Sequence, residues 1–327
     1  MYTAPLVKPL CPPKRPPRFS DVPFAEVTLD DGTPHTLRLD IYQSPNQKNP
    51  GPCIIYYFGG GWMWGEYKQV TQKAVYCRDL VELVEQGYTI VSPSYRLASQ
   101  AVFPACIYDC KAVVRFLRAH AERYHIAPDR IGVLGNSAGG HLAAMVAMSA
   151  DCKDMEGDVG GNLEYSSAVK AAVILYAPAD ILDSIRTSAA KLDGPPRELT
   201  GTEIDNIASS DISVETHILG YTGSDKSLWS LNQLLADGDI QNPDWKYIQL
   251  AKQCSPVRYA SANCPPMMIL HGSRDPVVPI GQSEKLYKAL ADAGADATYI
   301  AYSGGGHGPS LGPEIDRIAY SFLTGRL

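Results

Sequence analysis

Three residues of this chain have both the type and the setting for nucleophilic catalysis: Ser137, Asp275 and His307, in that order along the sequence. Ser137 is the centre of Gly135-Asn136-Ser137-Ala138-Gly139, which follows the apolar run Ile131-Gly-Val-Leu134 and precedes the Ala-rich His141-Leu-Ala-Ala-Met-Val-Ala147. A Gly-x-Ser-x-Gly between a strand and a helix is a turn so tight that only small residues fit beside a serine in a strained conformation. The turn lifts the hydroxyl above a sheet and aims the first N–H groups and positive end of the helix at any developing oxyanion. A plain strand-to-helix connection with a capping serine has the same five residues, so the rest of the chain must decide. A serine alcohol is a poor nucleophile at neutral pH and needs a histidine base oriented by a carboxylate.

His307 lies in Ser303-Gly-Gly-Gly-His-Gly308, a poor setting for a core histidine and a good one for an imidazole carried on a loop. The other histidines suit the role less: His35 falls in an early hairpin, His120 and His125 near a helix end, and His217 in irregular sequence. His141, one turn into the helix after Ser137, and His271, at a strand end, read as supporting or packing groups. Two acids compete to orient His307. Asp275 follows a strand in His271-Gly-Ser-Arg-Asp-Pro276, with turn chemistry in Gly272 and Pro276. Asp180 follows the preceding strand in Tyr176-Ala-Pro-Ala-Asp180 and could equally cap or anchor what comes next; the turn favours Asp275. Gly59-Gly60-Gly61-Trp62 leaves the apolar run Cys53-Ile-Ile-Tyr-Tyr-Phe58, and consecutive glycines let backbone N–H groups approach a ligand, as the other half of an oxyanion hole requires. A nucleotide loop would need a Lys-Ser/Thr ending or the dinucleotide spacing, and neither is present.

These residues need a frame that brings strand ends together. Alternating patterns at 25–30 and 36–42 around Asp30-Asp31-Gly32 predict a hairpin. Strands are expected at 53–58, 88–94, up to Gly135, and at 169–176, 266–271 and 297–302, with helices over 68–86, 104–124, 281–293 and 313–323. Their alternation predicts an α/β fold with a mostly parallel central sheet flanked by helices. Residues 1–24, crowded with proline, read as an N-terminal arm, and 25–327 as one catalytic domain. Within it, 178–255, after the sixth strand, lacks the regular alternation and reads as a lid or cap insertion.

With 327 residues and 45% hydrophobic content the chain can bury a large core. A formal net charge of −6 without a basic run argues against nucleic acid and anionic membrane surfaces, leaving a small or neutral substrate as partner. No apolar run approaches the roughly 20 residues of a membrane span, and no leader pattern opens the chain, so no membrane insertion and a cytoplasmic location are expected. Eight cysteines, scattered from Cys11 to Cys264, are expected as free thiols. Cys106 and Cys110 lie one helical turn apart, but no other Cys/His pair has ligand spacing, so no metal is expected.

Phe58-Gly-Gly-Gly-Trp62, Ser94-Tyr-Arg-Leu97, Gly135-Asn-Ser-Ala-Gly-Gly140, Asp275-Pro-Val-Val-Pro279 and Gly306-His307-Gly308 together resemble an α/β-hydrolase. Their order and spacing are similar to the esterase/lipase branch, with its hormone-sensitive-lipase-like carboxylesterases and xylan-deacetylase-like esterases, from residue 25 to the C-terminus. The resemblance implies Ser137 as nucleophile, His307 as base, Asp275 as orienting acid, and the N–H groups of Ala138, Gly60 and Gly61 as oxyanion donors. It implies a small-molecule ester substrate, short acyl groups with acetyl on a carbohydrate as one form, and no cofactor. Many relatives have histidine where Phe58 stands and aspartate where Ser94 stands, so packing is expected to brace the glycine loop here. Trp62 and Trp64, directly after that loop, are expected to narrow the acyl side of the pocket. Two alternatives remain open: an α/β-hydrolase peptidase, which usually brings a further domain, and a non-catalytic ligand-binding relative, which typically lacks a triad member.

Overall fold

Mostly apolar runs become the middle of the sheet. β3 (Gly51–Tyr57), β4 (Thr89–Pro93), β6 (Ala171–Leu175) and β7 (Met267–Gly272) are buried at every position, the pattern of parallel strands covered on both faces. With β1 (Phe19–Thr28), β2 (Pro34–Tyr42), β5 (Ile126–Asn136) and β8 (Ala297–Tyr302) they form one eight-stranded sheet in the order β1-β2-β4-β3-β5-β6-β7-β8. Only β2 runs against its neighbours; all other pairs are parallel. The computed structural model describes residues 16–71, 80–192, 213–223, 226–308 and 313–327.

The sheet departs from the sequence expectation at its edge. β1 begins at Phe19, inside the stretch expected as an arm, because Phe19 pairs with Ile41 and packs edge-on against Tyr124 with ring centroids 5.2 Å apart. Pro23 is tolerated there because β1 is an edge strand, with register irregularities on either side of Val22-Pro23. Residues 1–15 of the expected arm lie outside the described residues. β5 also starts early, at Ile126; the exposed Pro128-Asp129-Arg130 is absorbed by a register irregularity opposite Gly51 and Cys53. The helix expected over 68–86 is described only as 3₁₀ turns at Tyr67–Thr71 and Leu80–Gln86, with 72–79 outside the described residues.

Helices α1 (Ala105–Ala119) and α2 (Ala138–Met148) pack on one another, and α2 lies on β3, β5 and β6 with every residue buried. Between β6 and β7 the described residues hold no strand of the sheet, and the described part of the segment expected as an insertion is helical. It holds α3 (Ile181–Leu192), α4 (Val214–Ile218), α5 (Leu228–Asp237) and α6 (Trp245–Gln253), with α3 packed on the other three. α5 opens on a reciprocal Ser227/Ser230 capping box and ends at Gly238 in the left-handed conformation. Residues 193–212 and 224–225 lie outside the described residues. α7 (Gly281–Asp292) packs on β7 and β8, and α8 (Pro313–Thr324) on β6 and β7. Among the described residues no helix is long and apolar enough to cross a membrane, and no group of three or more His, Cys, Asp or Glu could hold a metal ion. The six described cysteines are free thiols; Cys11 and Cys77 lie outside the described residues.

Candidate active site

The serine turn is dictated by close packing. A Cβ on Gly135 would collide with the carbonyl of Gly139, and one on Gly139 with the carbonyls of Tyr57 and Phe58, so the helix can lie on β3 and β5 only with glycine at both places. Ser137 itself sits at φ 52°, ψ −125°, outside the favoured regions for a side-chain-bearing residue. The conformation is held from both sides: the Ser137 N–H donates to the Leu175 carbonyl at 2.9 Å, and its own carbonyl accepts from His141 N–H at 3.0 Å.

Loops after β7 and β8 bring the acid and the base to that serine. Ser273 N–H donates to Tyr302 O at 2.9 Å, Arg274 N–H to Gly305 O at 2.8 Å, and Gly304 N–H to Ser273 Oγ at 2.9 Å. The two loops cross directly over Gly272, where a Cβ would lie 2.6 Å from the Gly306 carbonyl. His307 Nδ1 lies 2.7 Å from Asp275 Oδ2, and its Nε2 lies 3.0 Å from Ser137 Oγ. A carboxylate can only accept, so Nδ1 carries the proton and Nε2 presents its lone pair to the serine hydroxyl. The Asp275 side chain is fully buried; its Oδ1 accepts from Val277 N–H at 2.8 Å and Val278 N–H at 2.9 Å. His271 Nε2 stands 3.2 Å from Oδ2 and also donates to Val278 O at 2.9 Å, while its Nδ1 accepts from Ser283 Oγ at 2.7 Å. Burial would raise the Asp275 carboxyl, but the hydrogen bonds from His271, His307 and the Val278 N–H outweigh it. The carboxyl is held well below the usual carboxylate range.

The glycine loop lies against the serine turn. A Cβ on Gly59 would stand 3.2 Å from Ser137 Cβ and 2.7 Å from Asn136 Nδ2. Gly60 and Gly61 take φ 116° and 59°, and the Gly60 carbonyl accepts from both Met63 N–H and Trp64 N–H at 3.0 Å. Among the described residues, the N–H groups of Gly60, Gly61 and Ala138, the first residue of α2, meet no acceptor. Packing braces this loop: Phe58 stacks on Tyr95 with centroids 4.3 Å apart, and Tyr95 OH donates to the Phe58 carbonyl at 2.8 Å. Ser94 Oγ is engaged elsewhere, accepting from Arg38 N–H at 2.8 Å.

The model of the BD-FAE family matches residues 39–218 and 204–290 of this chain, more than half of its length. The chain belongs to the BD-FAE family. Relatives of this BD-FAE chain include Esterase LipQ of Mycobacterium tuberculosis, 28% identical over 261 residues that make up 79% of this chain and 50% of LipQ. Esterase LipC of the same organism is 25% identical over 290 residues, 86% of this chain and 60% of LipC. This chain thus spans only 50% to 60% of the length of these relatives. Among solved structures, a truncated form of a carbohydrate esterase from gut microbiota superposes with a TM-score of 0.71 at 27% identity, covering 96% of this chain and 99% of that one. The fold is that of the α/β-hydrolase-type esterases.

Within the BD-FAE chain, Ser137, His307 and Asp275 lie together, with Gly60, Gly61 and Ala138 on the two loops that flank the serine. Asp180 is engaged elsewhere: its Oδ1 accepts from Asp183 N–H at 3.1 Å at the start of α3, and its Oδ2 pairs with Lys285 at 3.4 Å. Trp62, expected at the acyl pocket, is 1% exposed, and its indole N–H donates to His141 Nδ1 at 3.2 Å. Trp64 is 37% exposed, and its ring lies 3.4 Å from where a Gly61 Cβ would stand. Sequence reasoning missed Tyr176, which carries φ 38° at the end of β6 and sets its ring edge-on to His307 at 4.7 Å. It also missed Val214 on α4, whose Cγ1 lies 2.8 Å from the same Gly61 position. The one available signal was that Tyr176 ends the strand next to the serine strand; nothing local marked Val214.

Proposed function

We propose that this chain is a serine carboxylesterase that removes short acyl groups, with acetylated carbohydrates as its substrate class. The observation that carries the reading is the unbroken line from Ser137 Oγ to His307 Nε2 at 3.0 Å and from His307 Nδ1 to Asp275 Oδ2 at 2.7 Å. His307 takes the Ser137 proton as Oγ attacks the ester carbonyl, and the N–H groups of Gly60, Gly61 and Ala138 hold the oxyanion. Collapse expels the alcohol, which receives the proton from His307. Water, activated by the same imidazole, then releases the acyl group. The Asp275 carboxylate keeps Nδ1 protonated and stabilises the imidazolium that forms. The short acyl preference is supported by Trp64 and Val214 closing on Gly61, and the carbohydrate alcohol by the gut-microbiota carbohydrate esterase that this chain resembles along its length.

A fluorophosphonate probe should label the protein, and Ser137→Ala should abolish labelling while lowering ester turnover by several orders of magnitude. Near-normal turnover in that variant removes Ser137 as nucleophile. Across nitrophenyl esters from acetyl to palmitoyl, kcat/KM should peak between acetyl and butyryl; a maximum at octanoyl or beyond rules out the small acyl pocket.

A further inference from the structure

Trp62 directly follows Gly60-Gly61, so its conformation fixes how the loop that carries the proposed oxyanion donors leaves Gly61. It adopts φ 59°, a left-handed conformation that a bulky side chain keeps only where its surroundings over-determine it. Two bonds do so. The Trp62 carbonyl accepts from Ala98 N–H at 2.8 Å, and its indole N–H donates to His141 Nδ1 at 3.2 Å, the rings perpendicular with centroids 5.0 Å apart. An indole nitrogen can only donate, so the His141 proton is on Nε2, which donates to the Cys254 carbonyl at 2.7 Å, just past the end of α6. Both ring nitrogens of a wholly buried imidazole are therefore used. The His141 backbone N–H meanwhile donates to the carbonyl of Ser137. A residue needed only to fill this space would be apolar, since a buried imidazole must find a partner for each nitrogen.

We infer that His141 is a positioning residue: it locks the glycine loop to the serine turn through the Trp62 indole and anchors both to the insertion through the Cys254 carbonyl. The inference rests on the reading of Gly60 and Gly61 as oxyanion donors. Without the indole bond, only the bond from Ala98 N–H to its carbonyl still holds Trp62 in the left-handed conformation, and relaxation there turns the Gly61–Trp62 peptide and its neighbours. Donors for an oxyanion act only when preorganised, so such a shift lowers turnover without weakening ground-state binding.

The test compares His141→Phe, which fills the space with no acceptor, His141→Asn, which keeps an acceptor on the first atoms of the side chain, and Trp62→Phe, which removes the donor. His141→Phe and Trp62→Phe should each lower kcat by about 10- to 100-fold with KM changed less than about threefold, and slow fluorophosphonate labelling alike. His141→Asn should recover most of the loss, and the double Phe variant should fall no further than the worse single one. In NMR spectra, the indole resonance that disappears in Trp62→Phe should be protected from exchange in the wild type and lose that protection in His141→Phe. If His141→Phe does not fold, Trp62→Phe and His141→Asn carry the comparison. A wild type that labels and turns over, beside folded variants with unchanged kcat and labelling rate, overturns the inference and leaves the esterase reading standing. A wild type that neither labels nor hydrolyses any ester overturns both.

Discussion

At Asp275 both carboxylate oxygens are occupied before any substrate arrives, one by two backbone N–H groups and the other by His307 and His271. Replacing it with asparagine leaves the shape and puts an amide against Nδ1, which favours the wrong imidazole tautomer. Asp275→Asn should therefore lower kcat by roughly three to four orders of magnitude. Asp180→Asn keeps the acceptor for Asp183 N–H at the helix start and loses only a part-exposed ion pair, so it should cost about 1 kcal/mol of stability or less and leave kcat within about threefold. The reverse ranking in steady-state assays would move the acid to Asp180. A second residue-scale prediction concerns His141, pulled down to about 4 by burial, with its bond to the Cys254 carbonyl acting weakly the other way. Below the unfolded value of about 6.5 the unfolded chain binds a proton that the folded chain refuses down to about pH 4, so stability falls with pH across that window. Between pH 7.5 and 5 this group should account for about 2 kcal/mol of lost stability. Urea unfolding of His141→Asn should show that much less acid sensitivity than the wild type; equal slopes would refute the assignment. The meeting of Ser137 and His307 was legible because both residues stand out through neighbouring glycines. The burial of Trp62 was not, because it depends on a histidine 79 residues away that no local pattern pairs with it.

Among the elements, the strands most readable in sequence were those buried on both faces, whose apolar runs need no partner to identify them. β1 was misjudged at its start because its pairing with β2 and its contact with Tyr124 outweigh the turn signals around Pro23. The insertion helices were blurred because α3 to α6 bury one another, and no one of them has to carry a strong apolar stripe alone. What the elements do for the site depends on their ends, and the crossing of the β7 and β8 loops is the sharpest case. Gly272→Ala forces a methyl group between backbone carbonyls, displacing the Asp275 and His307 loops together. It should lower Tm and reduce kcat by about 100-fold or more, since small displacements of a positioned base are that costly. Gly281→Ala, at the start of α7, meets open space and an ordinary backbone, so it should stabilise by about 0.4–1 kcal/mol with activity unchanged. Thermal melts and turnover on the two variants separate the crossing from a general intolerance of substitution; an active, stable Gly272→Ala would refute it.

On the scale of the whole molecule, the insertion could serve either as a wall fixed to the sheet or as a lid that opens at a lipid surface. Its described parts are tied to the body at several independent points. The Ile218 carbonyl accepts from Phe103 N–H at 2.8 Å, Gly220 packs against Val102, and Val214 reaches Gly61. The Cys254 carbonyl accepts from His141, and the buried Gln282 amide oxygen accepts from Ala179 and Asp180 N–H at 2.9 and 2.8 Å. Opening would break buried hydrogen bonds whose partners would then need water, each at about 1–3 kcal/mol. A surface-activated lid instead presents a strongly amphipathic helix with cationic flanks to the interface, whereas this chain carries a net charge of −6. On the proposed esterase reading, the protein should therefore show no interfacial activation. On tributyrin, the rate should saturate smoothly as concentration passes the solubility limit, and detergent micelles should not raise it. A rise of more than about fivefold at that limit would mean that the insertion moves, and that the contacts of Val214 and Cys254 belong to a closed state of the site.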